Sequence, residues 1–137
     1  MEKKVIVIED EKDVLTYLMA VLEDQGLQAE TLDRNAALAE GVASARPDLI
    51  LLDVMMPERS GVSIYEELRT TPGLKDIPVI IISGFSPDGD SMSVNFQQML
   101  SDPSLPLPDG FIEKPMNLDL LITMVHDTLG ATDDHKD

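Results

Sequence analysis

The most constraining feature of this sequence is a set of three short aliphatic runs in which polar and apolar residues do not alternate. The runs are Val5–Ile8, Leu49–Leu52 and Val79–Ile82. A strand with one face in water alternates polar and apolar residues, whereas a strand covered on both faces is continuously apolar. The three runs therefore predict the central strands of a parallel sheet that has helices on both sides.

Two weaker strands and a series of amphipathic helices are predicted around these runs. The strands fall at Leu27–Leu32 and Gly110–Glu113, nearer the edges of the sheet. Apolar residues recur every three or four positions at 15–22 and 118–129, which predicts two helices that pack on the sheet. Asp13 is predicted to cap the first of these helices. Further helices are predicted at 34–45, 60–71 and 90–101.

The order of these elements, a strand followed by a helix five times over, determines the predicted topology. Connections between parallel strands cross over with a right hand. The sequence therefore predicts an α/β fold: a flavodoxin-like, doubly wound five-stranded parallel sheet in strand order 2-1-3-4-5, with five helices. In such a sheet, ligands bind in a crevice at the carboxyl ends of the strands, where the strand order reverses.

The composition narrows the classes of function. The chain has 137 residues, and we predict one domain at 1–130 and a polar C-terminal tail at 131–137. Lysine and arginine number 10 against 26 aspartates and glutamates, and the formal net charge of -16 disfavours direct binding of nucleic acid. The chain has no cysteine, and no apolar run approaches the roughly 18 residues of a membrane span; we also expect no signal peptide, because no segment has the pattern of one. We therefore expect a cytoplasmic protein without membrane attachment.

Three carboxylates stand at the ends of two of the aliphatic runs. Glu9 and Asp10 follow the first run, and Asp53 follows the second. If the two strands are neighbours, their carboxyl ends bring the three side chains together. Three negative charges within a few ångströms repel by several kcal/mol at an effective dielectric constant of about 20, and protonation or a bound cation relieves that repulsion. The sequence therefore predicts a site for a divalent cation.

Ser83, at the end of the third run, and Lys114, after the last predicted strand, are expected at the same edge of the sheet. With the three acids they form four motifs in chain order: Val7-Ile-Glu-Asp-Glu11, Leu52-Asp-Val-Met-Met-Pro57 with Gly61, Ile82-Ser83-Gly84, and Lys114-Pro115. Through these motifs the sequence resembles the receiver domain of bacterial two-component response regulators, over residues 3–130. The resemblance is to the stand-alone, single-domain type.

The resemblance implies a role for each acid. Asp53 would be the phosphoacceptor, a carboxylate nucleophile that forms an aspartyl phosphate. Asp10, the side chain of Asp53 and the backbone carbonyl of Met55 would hold Mg²⁺, a hard cation that prefers oxygen ligands. Glu9 would act through a water molecule on that ion. Such a protein assists its own phosphorylation and dephosphorylation but is a signalling protein rather than an enzyme.

The resemblance also implies which protein donates the phosphoryl group, which residues contact it, and which surface changes in response. The donor would be a sensor histidine kinase or a phosphotransfer protein. Ser83 would offer its hydroxyl, and Lys114 its ammonium group, to phosphoryl oxygens. The ring of Phe111 would turn inward as the Ser83 hydroxyl moves, changing the face formed by the fourth helix, fifth strand and fifth helix. A downstream target protein would bind that face, and a homodimer is left open.

The segment between Gly84 and Gly110 departs from the regular pattern. It has a start rich in serine, aspartate and glycine, and its end, Asp102–Asp109, has three prolines within six residues. Prolines at this density do not permit a continued helix and favour an extended chain. We predict a short helix followed by an unusually long connection, which changes the usual output face of the family.

Two alternative classes of function stay open at the level of sequence. One is a phosphohydrolase with an aspartate nucleophile and Mg²⁺ on a similar sheet, but its nucleophile would follow the first strand with a second acid two residues later. Here Glu9 and Asp10 are adjacent, and Met55 stands two residues after Asp53. The other is a receiver-fold scaffold that works without phosphorylation, which would usually lack one of the acids or the lysine.

Overall fold

The computed structural model describes residues 3–32, 38–53, 61–83, 100–102, 104–113 and 117–134. The elements in this part of the chain are β1 (Lys4–Ile8), α1 (Lys12–Asp24), β2 (Gln28–Thr31), α2 (Leu38–Ala45), β3 (Leu49–Asp53), α3 (Gly61–Thr70), β4 (Val79–Ser83), β5 (Gly110–Glu113) and α4 (Leu118–Asp134). Each strand begins and ends within one residue of its predicted position.

Four of the five predicted helices are present among the described residues. The remaining one, predicted at 90–101, falls mostly outside them. Its last two positions, Leu100 and Ser101, are described and are not helical, so the predicted C-terminal boundary of that helix was wrong. The chain there already belongs to the proline-rich connection, which turns at Asp102 (see below).

The five strands form one parallel sheet in the order β2-β1-β3-β4-β5. This confirms the predicted doubly wound topology, in which the chain reverses its direction of travel across the sheet between β1 and β3. The register places Ile8 opposite Leu52, Asp53 opposite Ile82, and Ser83 opposite Glu113. The carboxyl ends of the four strands that carry predicted site residues therefore lie along one edge.

The central strands are buried on both faces, which explains why their sequences do not alternate. Every residue of Val5–Ile8, Leu49–Leu52 and Val79–Ile82 is at most 1% exposed. The core shared with α2 and α3 contains Ile6, Ile8, Ile50, Leu52, Val79 and Ile81 from the sheet. The core shared with α1 and α4 contains Val5, Val7, Leu49, Leu51, Ile80 and Ile82 from the sheet. Each buried aliphatic side chain contributes about 1.5–3 kcal/mol relative to an exposed one.

Helix α1 starts closer to β1 than the sequence suggested. Glu11 occupies the N-cap position without a side-chain capping bond, and Asp13 lies inside the first turn. The prediction that Asp13 caps the helix was therefore wrong. Only three residues separate Ile8 from Lys12, so the helix begins before Asp13 is reached. In the first turn, the negative charge of Asp13 still stabilises the helix, because it lies near the positive end of the helix dipole.

Helix α4 packs closely on the edge strand β5. A Cβ atom added at Gly110 would lie 2.5 Å from the sulfur of Met124, so glycine permits the close approach. The helix continues to Asp134, and the first four residues of the predicted tail at 131–137 are therefore helical. In the described part of the chain, no helix combines the length and the apolar character that crossing a bilayer requires.

Candidate functional site

Three carboxylates meet at the carboxyl ends of β1 and β3. Glu9 and Asp10 follow β1 directly, and Asp53 is the last residue of β3. Because Ile8 pairs with Leu52, Glu9 and Asp53 lie at the same level of neighbouring strands. One carboxylate oxygen from each of the three residues lies within 4.8 Å of the others. The structure thus brings together the acids that the sequence placed at this edge.

Burial makes this grouping of acids costly in the absence of a compensating charge. Asp53 is 1% exposed and Glu9 is 7% exposed, while Asp10 is partly exposed. Two unit charges about 5 Å apart repel by about 3 kcal/mol at an effective dielectric constant of about 20. One oxygen of Glu9 accepts a hydrogen bond from the backbone N–H of Glu11, at 3.2 Å, which fixes the direction of that carboxylate. Such an arrangement favours a bound cation.

The donor set fits Mg²⁺. All three groups offer carboxylate oxygens, the ligand type that a hard divalent cation prefers, and Mg²⁺ is usually held by one or two carboxylates with water in its other positions. No histidine or cysteine belongs to this cluster of described residues, and those are the ligands typical of zinc. The partly exposed Asp10 leaves one side of the cluster open to solvent, where water ligands would be accommodated.

The other predicted site residues are described to different degrees. Ser83 is the last residue of β4 and lies one position beyond Ile82, the partner of Asp53. Phe111 lies in β5, is partly buried, and packs against the core on the side of α2 and α3. Met55 and Lys114 lie outside the described residues. The roles assigned to these residues, and the switch at Ser83 and Phe111, stay predictions.

The sequence analysis missed a buried polar network that joins α3 to the proline-rich connection. The hydroxyl of Tyr65 donates to the carbonyl of Pro106 at 2.6 Å and accepts from Nε of Arg69 at 3.0 Å. The guanidinium carbon of Arg69 lies 4.8 Å from the centre of the Tyr65 ring. Nη2 of Arg69 lies 3.5 Å from Oδ2 of Asp109. Burial raises the pKa of the Tyr65 hydroxyl. The spacing of Tyr65 and Arg69, four residues apart on a helix, was the available signal.

Two further contacts fasten the same connection. The backbone N–H of Ser101 donates to Oε1 of Glu66 on α3 at 3.0 Å. Asp102 accepts hydrogen bonds from the side chain and the backbone of Ser104, at 2.6 and 3.0 Å, and these bonds lower the pKa of the Asp102 carboxyl. These bonds close a turn in which the side chain of an aspartate accepts from the backbone two residues later, a turn that is common at aspartate. The predicted connection is therefore non-helical at 104–109, as expected, and is attached to α3.

Comparison with known proteins agrees with this geometry. A family model for the response regulator receiver domain matches residues 5–126. Protein Rrf1 of Nitratidesulfovibrio vulgaris is 26% identical over 131 residues, which are 96% of this chain and 86% of that protein. The polar-differentiation response regulator DivK of Brucella anthropi is 25% identical over 130 residues, which are 95% of this chain and 98% of that protein.

A solved structure supports the same assignment. The signal receiver domain of a signal transduction histidine kinase from Syntrophus aciditrophicus superposes with a TM-score of 0.77 at 29% sequence identity, over 94% of this chain and 91% of that chain. The family match covers both strand ends that carry the acidic cluster. The chain belongs to the family of response regulator receiver domains.

Proposed function

We propose that this chain is the phosphoacceptor receiver of a two-component phosphorelay. Asp53 takes a phosphoryl group from a sensor histidine kinase or a phosphotransfer protein, and the modified chain changes its binding to a downstream protein. The observation that carries this proposal is the meeting of Glu9, Asp10 and Asp53 at the carboxyl ends of two neighbouring strands. Membership in the receiver family supports it.

The chemical step begins with a nucleophile and a well-oriented donor. A carboxylate oxygen of Asp53 attacks phosphorus in line with the leaving group. When the donor is a phosphohistidine, the phosphorus–nitrogen bond breaks as the new phosphorus–oxygen bond forms, and the electron pair returns to the imidazole. The product is an aspartyl phosphate. Asp53 is held rigidly for this attack, because it ends a strand that is buried along its whole length.

The other residues of the site would offset the negative charge of the phosphoryl group. Asp10, Asp53 and the carbonyl of Met55 would hold Mg²⁺, and Glu9 would reach it through water. Bound Mg²⁺ would offset the negative charge on the phosphoryl oxygens. Lys114 supplies a second cation, and a charge-assisted hydrogen bond from its ammonium group is stronger than one between neutral groups.

The output is a changed protein surface. A phosphoryl group adds a charge of about -1.5 to -2 and three strong acceptor oxygens. Ser83 donates its hydroxyl to one of them, and the ring of Phe111 follows. Phe111 is partly buried against the core, which is consistent with a ring that has room to change its position. The formal net charge of -16 favours a protein target over nucleic acid. We place this exchange in the cytoplasm.

Family membership and the position of Asp53 both disfavour the phosphohydrolase alternative. The buried Asp53 ends the third strand and does not follow the first, and the two acids after β1 are adjacent. A scaffold that works without phosphorylation would usually lack one of the acids or the lysine, and Glu9, Asp10, Asp53 and Lys114 are all present here, so this alternative is also disfavoured.

The intact mass of the protein after incubation with acetyl phosphate tests the proposal. With Mg²⁺ the wild type should gain one phosphoryl mass, and without Mg²⁺ the gain should be much slower. Asp53→Asn should gain none. The matched control is Asp127→Asn, which removes an exposed carboxylate on α4 and should behave like the wild type. Gain by Asp53→Asn at the wild-type rate would place the acceptor elsewhere, and no gain by any variant would support the scaffold.

A further inference from the structure

The edge strand β5 ends at Glu113, one residue before Lys114 in the sequence. It has four residues and pairs with β4 alone. In a parallel sheet, a slip of one residue moves every side chain to the opposite face. The observed register places Glu113, the residue that precedes Lys114 in the sequence, opposite Ser83.

Asp109, the residue before β5, binds the first residue of β4 in two ways. Its backbone N–H donates to the carbonyl of Val79 at 2.8 Å. Its Oδ2 accepts from the backbone N–H of Val79 at 2.9 Å. Both bonds depend on Asp109 standing at the level of Val79, and a slip of β5 in either direction would break them. The side chain of Asp109 thus adds a register-specific bond at the point where β5 begins.

Arg69 holds that carboxylate in place from α3. Its Nη2 lies 3.5 Å from Oδ2 of Asp109, and its Nη1 donates to the carbonyls of Ile77 at 2.8 Å and Lys75 at 3.1 Å. The Arg69 side chain is 5% exposed. The buried guanidinium of Arg69 therefore ties the residue before β5 to the turn before β4. The side chain of Asp109 is 44% exposed, so solvent screens its ion pair with Arg69 in part, and the hydrogen bond of Asp109 to Val79 is the more specific contact.

A second, independent feature specifies the same register. Gly110 is the β5 residue that faces the sulfur of Met124, at a distance where any Cβ atom would force that sulfur to move. A slip of one residue would bring Asp109 or Phe111, both of which have a Cβ atom, to this place. The methionine side chain is flexible, so this cost is modest, but it acts in the same direction as the bonds of Asp109.

We propose that Asp109, held by Arg69, is a positioning residue for phosphoryl transfer: it fixes the register of β5 and thereby the level at which Lys114 enters the site. This inference rests on the proposed function, in which Lys114 contacts a phosphoryl oxygen. Asp109 itself touches neither the phosphoryl group nor the acidic cluster, since it stands at the opposite end of the strand. Its effect on the reaction therefore passes through Lys114.

A double-mutant cycle tests this route. The rate of phosphorylation by acetyl phosphate with Mg²⁺ is measured for Asp109→Ala and Asp109→Asn, each in the wild-type and the Lys114→Ala background. Lys114→Ala should lower the rate about ten- to hundredfold, as expected when a charge-assisted hydrogen bond is lost. Asp109→Ala should lower it about three- to tenfold in the wild type and less than about twofold without Lys114, because residues that act as a unit are not additive.

The asparagine variant and a core variant separate positioning from loss of stability. Asp109→Asn keeps a side-chain oxygen that can accept from Val79, so its rate should stay within about twofold of the wild type. Val42→Ala, which creates a cavity under α2, should lower the melting temperature without changing the rate. A loss in Asp109→Ala that is the same in both backgrounds, or no loss at all, overturns the proposal.

Hydrogen exchange of the backbone amides at 110–113 tests the register without reference to phosphorylation. Asp109→Ala should exchange faster there than the wild type, and Asp109→Asn should be protected. If the wild type takes no phosphoryl group, the proposed function has failed. The exchange data then test by themselves whether Asp109 fixes the register of β5. Unchanged protection in Asp109→Ala then overturns the inference, and lost protection that asparagine restores supports its structural half.

Discussion

Glu9 and Asp53 lie at the same level of two neighbouring parallel strands, and both are buried, with 7% and 1% of each residue exposed. Together with Asp10 they bring three carboxylate oxygens within 4.8 Å of one another. A sheet of this topology does not require three acids at the ends of neighbouring strands. Their concentration at one place is explained if the site binds a cation and one of the acids is chemically modified.

Removing one acid should stabilise the metal-free protein. Asp53→Asn relieves the repulsion at the site while keeping the shape of the side chain, and we expect its free energy of unfolding to rise by about 1–2 kcal/mol, or about 3–8 °C in melting temperature. Thermal unfolding in the presence of a chelator measures this. Asp127→Asn, on the exposed surface of α4, is the control and should change little. An Asp53→Asn variant less stable than the wild type would contradict the electrostatic account.

Magnesium should raise the free energy of unfolding of the wild type by an amount set by its concentration relative to its dissociation constant. At ten times the dissociation constant, the ion would add about 1.4 kcal/mol to the free energy of unfolding. Asp10→Asn removes a charged ligand and should weaken binding about tenfold or more. Asp13→Asn, which changes an exposed acid in the first turn of α1, should leave binding unchanged. Equal stabilisation of wild type and Asp10→Asn across a Mg²⁺ titration would place the ion elsewhere.

The contact between α4 and β5 predicts an interaction between two substitutions. Gly110→Ala introduces a Cβ atom 2.5 Å from the sulfur of Met124 and should cost about 1 kcal/mol through overpacking, at the low end because the methionine side chain is flexible. In the Met124→Ala background the clash is absent, and the same substitution should cost clearly less. Urea unfolding of the four proteins measures both costs. Equal costs in the two backgrounds would mean that Met124 does not limit the approach of α4.

Tyr65 should make the stability of the protein sensitive to alkaline pH. Burial raises the pKa of its hydroxyl in the folded state, so above about pH 10 the unfolded chain loses this proton before the folded protein does. Its contribution is therefore fully present below the unfolded pKa and is lost as the pH rises through the folded pKa. Tyr65→Phe removes this dependence, and the stability gap between the two proteins should narrow above pH 10. Urea unfolding between pH 8 and 11 measures the gap.

At neutral pH the same substitution tests the buried network. The phenol of Tyr65 bonds both Pro106 and Arg69, so Tyr65→Phe leaves the Nε donor of Arg69 without that acceptor and should cost about 1–3 kcal/mol. Tyr17, which is 45% exposed on α1, is the matched control, and Tyr17→Phe should be close to neutral. Equal stability of the two variants at pH 7 would contradict the role of the network.

The central strands and their order could be predicted because a strand buried on both faces is a continuous run of apolar residues. Val5–Ile8 and Leu49–Leu52 are continuously apolar for that reason, and the acids at their ends follow from the topology. The cap of α1 could not be predicted, because it depends on how soon after Ile8 the helix begins. The contact of Arg69 with Asp109 joins residues 40 positions apart in different elements and leaves no periodic signal in the sequence.

The most direct test of the central claim is to locate the modified residue. Acetyl phosphate is added with Mg²⁺, the acyl phosphate is reduced with borohydride, and the peptides that span the end of β1 and the end of β3 are sequenced by tandem mass spectrometry. We predict homoserine at position 53 and unmodified side chains at Glu9 and Asp10. Reduction at either of those two acids, or none at position 53 in a protein that has gained phosphoryl mass, would contradict the account.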